Sequence, residues 1–163
     1  MIVVADTGPL NYLVQTGTAG VLQPLYGRVI VPRTVVEELK RTGAPTAVQL
    51  WVGQLPDWLE VQPDPPPDPS LRFLDPGEGA ALSLAQLLRA HEVLIDDWAG
   101  RTEAERRNLN VTGTLGVLAD AHLAGLLDFD SVLARLRTTN FRLSAEVERL
   151  VRRRLSGLKR EPR

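Results

Sequence analysis

Acidic residues follow two of the apolar segments in this chain, and their positions indicate a shared site. Residues 2–6 read IVVAD and residues 93–98 read VLIDDW, so Asp6 and the pair Asp96 and Asp97 each follow a short apolar run. Runs of this kind are typical of strands buried on both faces of a parallel sheet. Because sites in such sheets lie beyond the carboxyl ends of the strands, we expect these carboxylates at one edge of the sheet.

A cluster of carboxylates needs a cation. Like charges in one cleft raise each other's pKa and destabilise the fold unless a cation offsets them, and oxygen-only ligands suit Mg²⁺ or Mn²⁺. The chain has no cysteine, which excludes disulfides, thiolate zinc sites and a thiol nucleophile. Its two histidines, His91 and His122, stand at unrelated positions, and we assign neither a catalytic role.

Glu38 is a further candidate, on the helix that follows the second predicted strand. Residues 33–43, RTVVEELKRTG, are typical of a helix, and Thr34 and Glu37 have the spacing of a capping box. Glu38 has no such local role and stands near the edge of the apolar stripe. A solvated surface glutamate is the simpler interpretation, but the preceding strand places this helix at the same sheet edge as Asp6.

Glu78 is the fourth candidate. In residues 75–90, DPGEGAALSLAQLLRA, Asp75 and Pro76 are typical of a helix start, which places Glu78 at the third helical position. A capping glutamate is one interpretation. Glu78 also precedes Leu82 by one helical turn and shares its core-facing stripe, where a carboxylate needs a metal or a hydrogen-bond network as compensation.

Strand and helix signals alternate along the chain. Five strands are predicted, at 2–6, 28–32, 58–62, 91–97 and 109–113. With helices between them, this pattern predicts an α/β domain with a mostly parallel sheet and helices on both faces. The segment PDPPPDP is predicted to be an extended surface loop within a single domain of residues 1–155, and residues 156–163 a flexible basic tail.

The net charge of −1 is unevenly distributed along the chain. Residues 1–130 have 9 Lys and Arg against 17 Asp and Glu, whereas residues 131–163 have 10 against 3. A polyanionic partner near the C-terminus is one interpretation, and a solvated helix face is the simpler one. No signal peptide pattern and no apolar stretch of membrane-spanning length is present. We therefore expect a soluble cytoplasmic protein.

The segments that contain these acids resemble the PIN-domain nucleases, in particular the VapC-like branch and DUF3368-type nucleic-acid-binding PIN proteins. The resemblance covers residues 1–130 and rests on VVADTGPLNYL, VIVPRTVVEELK, DPGEGAALSLA, VLIDDWAGRTEAERRNLNVTGTLGVL and AHLAGLLD, in that order. It implies a three-layer α/β/α sandwich with a mostly parallel five-stranded sheet. It also implies a Mg²⁺- or Mn²⁺-dependent endoribonuclease that acts on RNA, forms a homodimer and is the toxin partner of a small antitoxin.

The resemblance assigns roles to individual residues. The family's catalytic and metal-binding acids are matched by Asp6, Glu38, Glu78 and Asp97. It implies that Asp6, Glu78 and Asp97 hold the first ion, directly or through water. Glu38 then serves a second ion or orients water. Thr7 and Thr114 match positions where the family has a polar residue near the metals, although Thr114 equally fits a plain N-cap.

The two adjacent aspartates are given different roles. Asp97 is the predicted ligand because its spacing to Ala104 matches the family's, and because a residue just past the strand can turn into the cleft. Asp96 is placed at the last strand position, where alternation sends its side chain the opposite way. We expect it to cap the next helix or to pair with an arginine.

Two-metal hydrolysis of a phosphodiester uses carboxylates and needs no catalytic histidine or cysteine, in agreement with this sequence. Arg101, one turn after Asp97, is the nearest candidate for phosphate binding, although a salt bridge is the more usual role. Arg142 and residues 152–154 are candidate contacts with phosphate or a protein partner. The tryptophans are expected in the core or at an interface rather than as stacking platforms: Trp51, Trp58 and Trp98.

Other classes of function fit less well. A phosphoacceptor receiver domain needs an acidic pair after the first strand and a lysine after the fifth, and a dinucleotide enzyme needs Gly-x-Gly-x-x-Gly after a strand. Neither pattern is present. The alternative that stays open is a PIN-like module that binds nucleic acid or protein with weak or no nuclease activity.

Overall fold

The fold is built on a parallel sheet. The computed structural model describes residues 1–159. The strands are β1 (Val3–Ala5), β2 (Val29–Pro32), β3 (Leu59–Gln62), β4 (Glu92–Leu94) and β5 (Val111–Thr112). Their order is β3-β2-β1-β4-β5, and every pairing is parallel. The predicted α/β class with a five-stranded parallel sheet is confirmed.

Nine α-helices connect and cover these strands within residues 1–159. They are α1 (Thr7–Gln15), α2 (Leu22–Tyr26), α3 (Arg33–Leu39), α4 (Thr46–Val52), α5 (Pro76–Leu88), α6 (Trp98–Arg106), α7 (Thr114–Leu123), α8 (Phe129–Leu136) and α9 (Ala145–Lys159). The helix predicted over 33–43 ends earlier, at Leu39. Gly43, with a φ of 94°, lies in the turn between α3 and α4.

Side chains of the sheet alternate between two apolar cores. In β1, Val3 and Ala5 point into the first core and Val4 into the second; in β4, Leu94 and Val93 divide in the same way. The first core is covered by α1 to α4 and α7 to α9, and the second by α5 and α6. The sheet therefore has a helical layer on each face, which confirms the predicted three-layer sandwich.

The carboxyl ends of four strands lead directly into helices at one edge of the sheet. Asp6 separates β1 from α1, Asp97 precedes α6 and Gly113 precedes α7. α3 follows β2 without a break. Because β1 and β4 are neighbours although they are far apart in sequence, the topological switch point lies between them. This crevice is where the fold places its acids.

Thr34 does not form the predicted capping box. α3 begins at Arg33, so Thr34 already lies inside its first turn. The backbone N–H of Thr34 donates to Asp64 Oδ1 at 3.0 Å, and its hydroxyl donates to Asp64 Oδ2. The predicted Thr34–Glu37 pair is wrong because Asp64 supplies the acceptor. Asp64 lies on the proline-rich loop, residues 63–69, which is distant in sequence.

The proline-rich loop runs without regular structure from β3 to a short 3₁₀ turn, Pro69–Leu71. Arg107 holds the end of this loop. Its guanidinium donates to Asp68 Oδ2 at 3.2 Å, to the Ser70 hydroxyl at 2.7 Å and to Glu103 Oε1 at 2.8 Å. These hydrogen bonds attach the loop to the C-terminal end of α6, the end opposite to Asp97.

The C-terminal helix is longer than the sequence pattern indicates. α9 continues to Lys159, into the segment 156–163 that was expected to be a tail. The rest of that predicted tail, residues 160–163, lies outside the described residues. No helix in the described part of the chain is long and apolar enough to cross a membrane.

The first core makes a testable contribution to stability. Phe129 is 1% exposed, whereas Phe73 is 63% exposed. Phe129→Ala is expected to lower the free energy of unfolding by about 3–5 kcal/mol, because it removes buried area and leaves a cavity. Phe73→Ala, the matched control, is expected to change it by no more than about 0.5 kcal/mol. Urea unfolding monitored by circular dichroism measures both, and equal losses would contradict this core.

Candidate active site

Asp6 is the most buried acid at this edge. Its residue surface is 5% exposed, and its backbone N–H donates to the Leu94 carbonyl at 2.8 Å, which joins β1 to β4. The Oδ1 atom is buried and has no hydrogen-bond partner. Burial is the largest cause that raises the pKa of Asp6 to about 8. Three neighbouring carboxylates raise it further: Glu78, Glu38 and Asp96.

Glu38 connects the first turns of α1 and α5. Its Oε1 accepts a hydrogen bond from the Gly77 N–H at 2.9 Å, and its Oε2 accepts one from the Thr7 hydroxyl. The first N–H groups of a helix have no intrahelical partner, so they stabilise a carboxylate placed against them. Glu38 is half-buried and lies at the site, rather than being a solvated surface glutamate.

Gly77 allows this approach because it has no side chain. A Cβ atom on residue 77 would collide with the Glu38 carboxylate, whose Cδ and Oε1 would both lie 2.7 Å away. The sequence pattern did not identify Gly77 as part of the site. The available signal was a glycine at the second position of an acid-bearing helix, where nothing else requires one.

Glu78 is half-buried at the third position of α5. It accepts a hydrogen bond of 3.4 Å from the Asp75 N–H, so the capping interpretation applies in part, through a long bond. Burial is the largest cause that raises the pKa of Glu78 to about 7, and the negative charge of Asp97 is the next. A carboxylate with this pKa is partly protonated near neutral pH unless a cation is bound beside it.

Asp96 and Asp97 occupy different environments from those the sequence predicts. β4 ends at Leu94, so Asp96 is beyond the strand rather than at its last position. Asp96 Oδ1 accepts from the Thr114 N–H at 2.7 Å and Oδ2 accepts from the Thr114 hydroxyl at 2.6 Å. The expected cap of the next helix is supplied by Asp97, whose Oδ2 accepts from the Gly100 N–H at 3.1 Å.

The remaining oxygens differ between these two aspartates. Both oxygens of Asp96 are occupied by Thr114, and burial raises the pKa of Asp96. Asp97 is exposed and uses one oxygen only, so Oδ1 stays available to another ligand. The two aspartates also act on different acids. The charge of Asp96 raises the pKa of Asp6, and the charge of Asp97 raises the pKa of Glu78.

Thr114 and Arg101 both lie beside Asp96. Thr114 is the first residue of α7, after the N-cap Gly113, so the plain N-cap interpretation of Thr114 is wrong. A Cβ atom on Gly113 would lie 2.5 Å from Arg101 Nη1 and 2.9 Å from Asp96 Oδ1, which places the guanidinium next to the carboxylate. Arg101 is half-buried, and no ion pair within 4 Å includes it among the described residues.

The histidines and some of the C-terminal arginines are engaged elsewhere. His91 Nδ1 accepts from the Ile2 N–H and His122 Nδ1 accepts from the Phe129 N–H, so each histidine is engaged with a backbone group. Arg152 pairs with Asp130 and Glu148, and Arg154 pairs with Asp120. Arg142 and Arg153 are exposed.

The tryptophans divide into two groups. Trp51 and Trp58 contact each other with ring centroids 6.3 Å apart and pack against the first core, as predicted. Trp98 is 79% exposed, so the expectation of a core position is wrong for this residue. The physical reason is its place on the exposed face of α6, which it shares with Thr102 and Glu105.

The acidic cluster has the right atoms for a divalent ion but not a closed set of ligands. No group of three or more His, Asp or Glu side chains within residues 1–159 converges so as to hold a metal. Mg²⁺ requires less than that, because it keeps several waters and binds through one or two carboxylates. The buried, unpartnered Oδ1 of Asp6 and the free oxygen of Asp97 are each of the ligand type that such an ion takes.

Two glycines of α5 test the contact between Gly77 and Glu38. Gly79→Ala places its Cβ no closer than 3.6 Å to any atom, so we expect the usual stabilisation of about 0.4–1 kcal/mol from a stiffer unfolded chain. Gly77→Ala must displace the Glu38 carboxylate and break its hydrogen bond with the Gly77 N–H. Because that bond contributes about 1 kcal/mol, we expect Gly77→Ala to be about 1 kcal/mol less stable than Gly79→Ala. Urea unfolding of the two variants measures the difference. Equal gains would show that Glu38 does not contact residue 77.

The raised pKa values of Asp6 and Glu78 predict how the metal-free protein responds to pH. Each acid binds its proton more tightly in the folded state, so its contribution to stability is complete below the pKa of the unfolded chain. That contribution is lost as pH rises through the folded pKa, about 7 for Glu78 and about 8 for Asp6. The urea midpoint in EDTA is expected to fall over this range. Asp6→Asn should reduce the fall, whereas Asp57→Asn, an exposed acid before β3, should not. An unchanged pH dependence in Asp6→Asn would contradict the assignment.

Comparison with known proteins identifies the family of this chain. A family model described as PIN domain (DUF3368) matches residues 2–157. No curated protein sequence matches the chain. It is similar to the solved structure of a PilT N-terminus domain protein from Sulfolobus solfataricus P2, with a TM-score of 0.49 and 14% identity over 88% of this chain and 100% of that chain. Because the family model spans nearly its whole length, the chain belongs to the PIN-domain family, whose members are generally nucleases and typically use divalent metal ions.

Proposed function

We propose that this PIN domain is a divalent-metal-dependent endoribonuclease that hydrolyses RNA phosphodiester bonds. The main support is the buried Oδ1 of Asp6, which has no hydrogen-bond partner and is surrounded by three further carboxylates at the switch point of the sheet. A buried carboxylate without a donor is costly, and a bound cation compensates it. No histidine or cysteine is needed for this chemistry.

The roles of the acids follow from their free oxygens. We assign Mg²⁺ or Mn²⁺ to Asp6, Glu78 and Asp97, directly or through water. Asp97 is preferred to Asp96 because one of its oxygens is unoccupied, whereas Thr114 occupies both oxygens of Asp96. A divalent ion bound there would supply Lewis acidity and an activated water for phosphodiester hydrolysis.

The other residues of the site position these acids and the substrate. Glu38, fixed by Thr7 and Gly77, adds negative charge beside Asp6 and orients water, or serves a second ion. Thr114 holds Asp96 at the start of α7. Arg101, half-buried next to Asp96, offers the nearest cation to a substrate phosphate.

The biological role belongs to the same proposal. We place the chain in the VapC-like branch, as the toxin component of a toxin–antitoxin pair with a homodimeric state and a small antitoxin partner. This part of the proposal is supported by the sequence resemblance alone. The competing function is a PIN-like module that binds nucleic acid or protein with weak or no nuclease activity.

Cleavage of RNA tests the proposal. With Mg²⁺ or Mn²⁺, the wild type is expected to cleave a labelled single-stranded RNA, and EDTA should abolish cleavage. Asp6→Asn and Asp97→Asn should each lower the rate by at least about 100-fold, since each removes charge at the ion. Asp57→Asn should keep the wild-type rate. Cleavage that is indifferent to EDTA and to both substitutions would refute the metal-dependent nuclease.

Asp96→Asn separates the roles of the two adjacent aspartates. We expect Asp96→Asn to keep measurable Mn²⁺ binding by calorimetry, because an asparagine oxygen still accepts from Thr114. Asp97→Asn should weaken that binding strongly. The reverse result would make Asp96 the ligand and Asp97 a plain helix cap.

A further inference from the structure

Trp98 has an environment that the acidic site does not explain. It is 79% exposed, more than any other large hydrophobic residue in the described chain. Its indole makes no ring contact and no cation–π contact among the residues that the structure describes. It is the first residue of α6, directly after Asp97. A large planar apolar surface is therefore open to solvent at the border of the acidic cluster.

The helix that carries Trp98 does not present an apolar patch. The other exposed residues of α6 are all polar: Arg106, Thr102 and Glu105. A stable protein interface buries about 800 Å² on each partner, whereas one tryptophan supplies about 150–250 Å². A single flat ring among polar residues fits a small planar group better than a protein surface.

The same helical turn also contains a cation. Arg101 stands three residues after Trp98, so the two lie on neighbouring positions of the helix surface. The guanidinium of Arg101 lies beside Asp96 and Gly113, at the acidic edge. The first turn of α6 thus combines a flat ring, an arginine and the carboxylate of Asp97. Single-stranded nucleic acids are bound by this combination, with bases on aromatic rings and phosphates on basic groups.

We propose that Trp98 stacks on an unpaired base of single-stranded RNA, next to the phosphodiester bond that is hydrolysed at the acidic site. This inference rests on the proposed function and adds the form of RNA that is selected. Bases inside a duplex are already stacked on each other and cannot present a free face to the indole. The site therefore selects unpaired segments over duplex RNA.

Equilibrium binding tests the role of Trp98. The probe is a labelled, unpaired RNA of about ten nucleotides, within the site size of single-strand binders, with Ca²⁺ replacing Mg²⁺. Trp98→Leu is expected to raise Kd by about 5- to 150-fold, and Trp98→Phe, which keeps an aromatic face, by less than about threefold. Duplex RNA of the same sequence should bind both variants as it binds the wild type.

A matched control and a spectroscopic measurement complete the experiment. Leu87, 68% exposed, lies in the last turn of α5, away from the acidic edge where that helix begins, so Leu87→Ala should leave Kd unchanged. Single-stranded RNA should quench tryptophan fluorescence in the wild type. Trp98→Phe should lose this quenching, although it keeps Trp51 and Trp58.

Three results distinguish this inference from the proposed function. If the wild type cleaves RNA and Trp98→Leu has an unchanged Kd, the stacking role is refuted and the nuclease stands. If Trp98→Leu weakens RNA binding but the wild type does not cleave RNA, the nuclease is refuted and the stacking role stands. If Trp98→Leu leaves Kd unchanged but alters the molar mass measured by light scattering, Trp98 is a protein-interface residue and the inference is refuted.

Discussion

The burial of the Asp6 carboxylate is the constraint on which the rest of the site depends. Asp6 lies between the central strand and α1, where water is excluded, and its Oδ1 has no donor from the protein. Its acidic neighbours have partners: Thr7 and Gly77 donate to Glu38, and Thr114 donates to Asp96. The protein thus supplies donors to the outer acids of the cluster and leaves the Oδ1 atom of Asp6, at its centre, without one. The two apolar cores, one on each face of the sheet, supply the stability that offsets this cost.

The fold was predictable because short apolar runs alternate with helical periods, and this alternation depends only on neighbouring residues. Asp6 was predictable for the same reason, since an acid directly after a buried strand is a local signal. The anchoring of Glu38 was not, because its partners Thr7 and Gly77 are 31 and 39 residues away. The environment of Asp96 depends on Thr114, 18 residues away, and was likewise not visible in the sequence.

Local rules failed where tertiary contacts replaced them. Thr34 has the spacing of a capping residue, yet Asp64 on the proline-rich loop accepts its hydrogen bonds. The C-terminal excess of arginine suggested a polyanion partner, but Arg152 and Arg154 are paired with acids on α7, α8 and α9. Composition records the number of charges and not their pairing, so part of the positive segment is balanced in three dimensions, whereas Arg142 and Arg153 are exposed.

The strand order has a consequence for how the molecule acquires its site during folding. β1 pairs with β2, about 26 residues later, and with β4, where Val3 faces Glu92. Closing the longer connection costs more chain entropy, and such distant pairings slow folding. Because Asp6 and Asp96 meet only when β1 and β4 pair, a chain that has folded no further than β3 contains the first acids but no assembled site. The acidic cluster is therefore complete only once the sequence-distant halves of the sheet have joined.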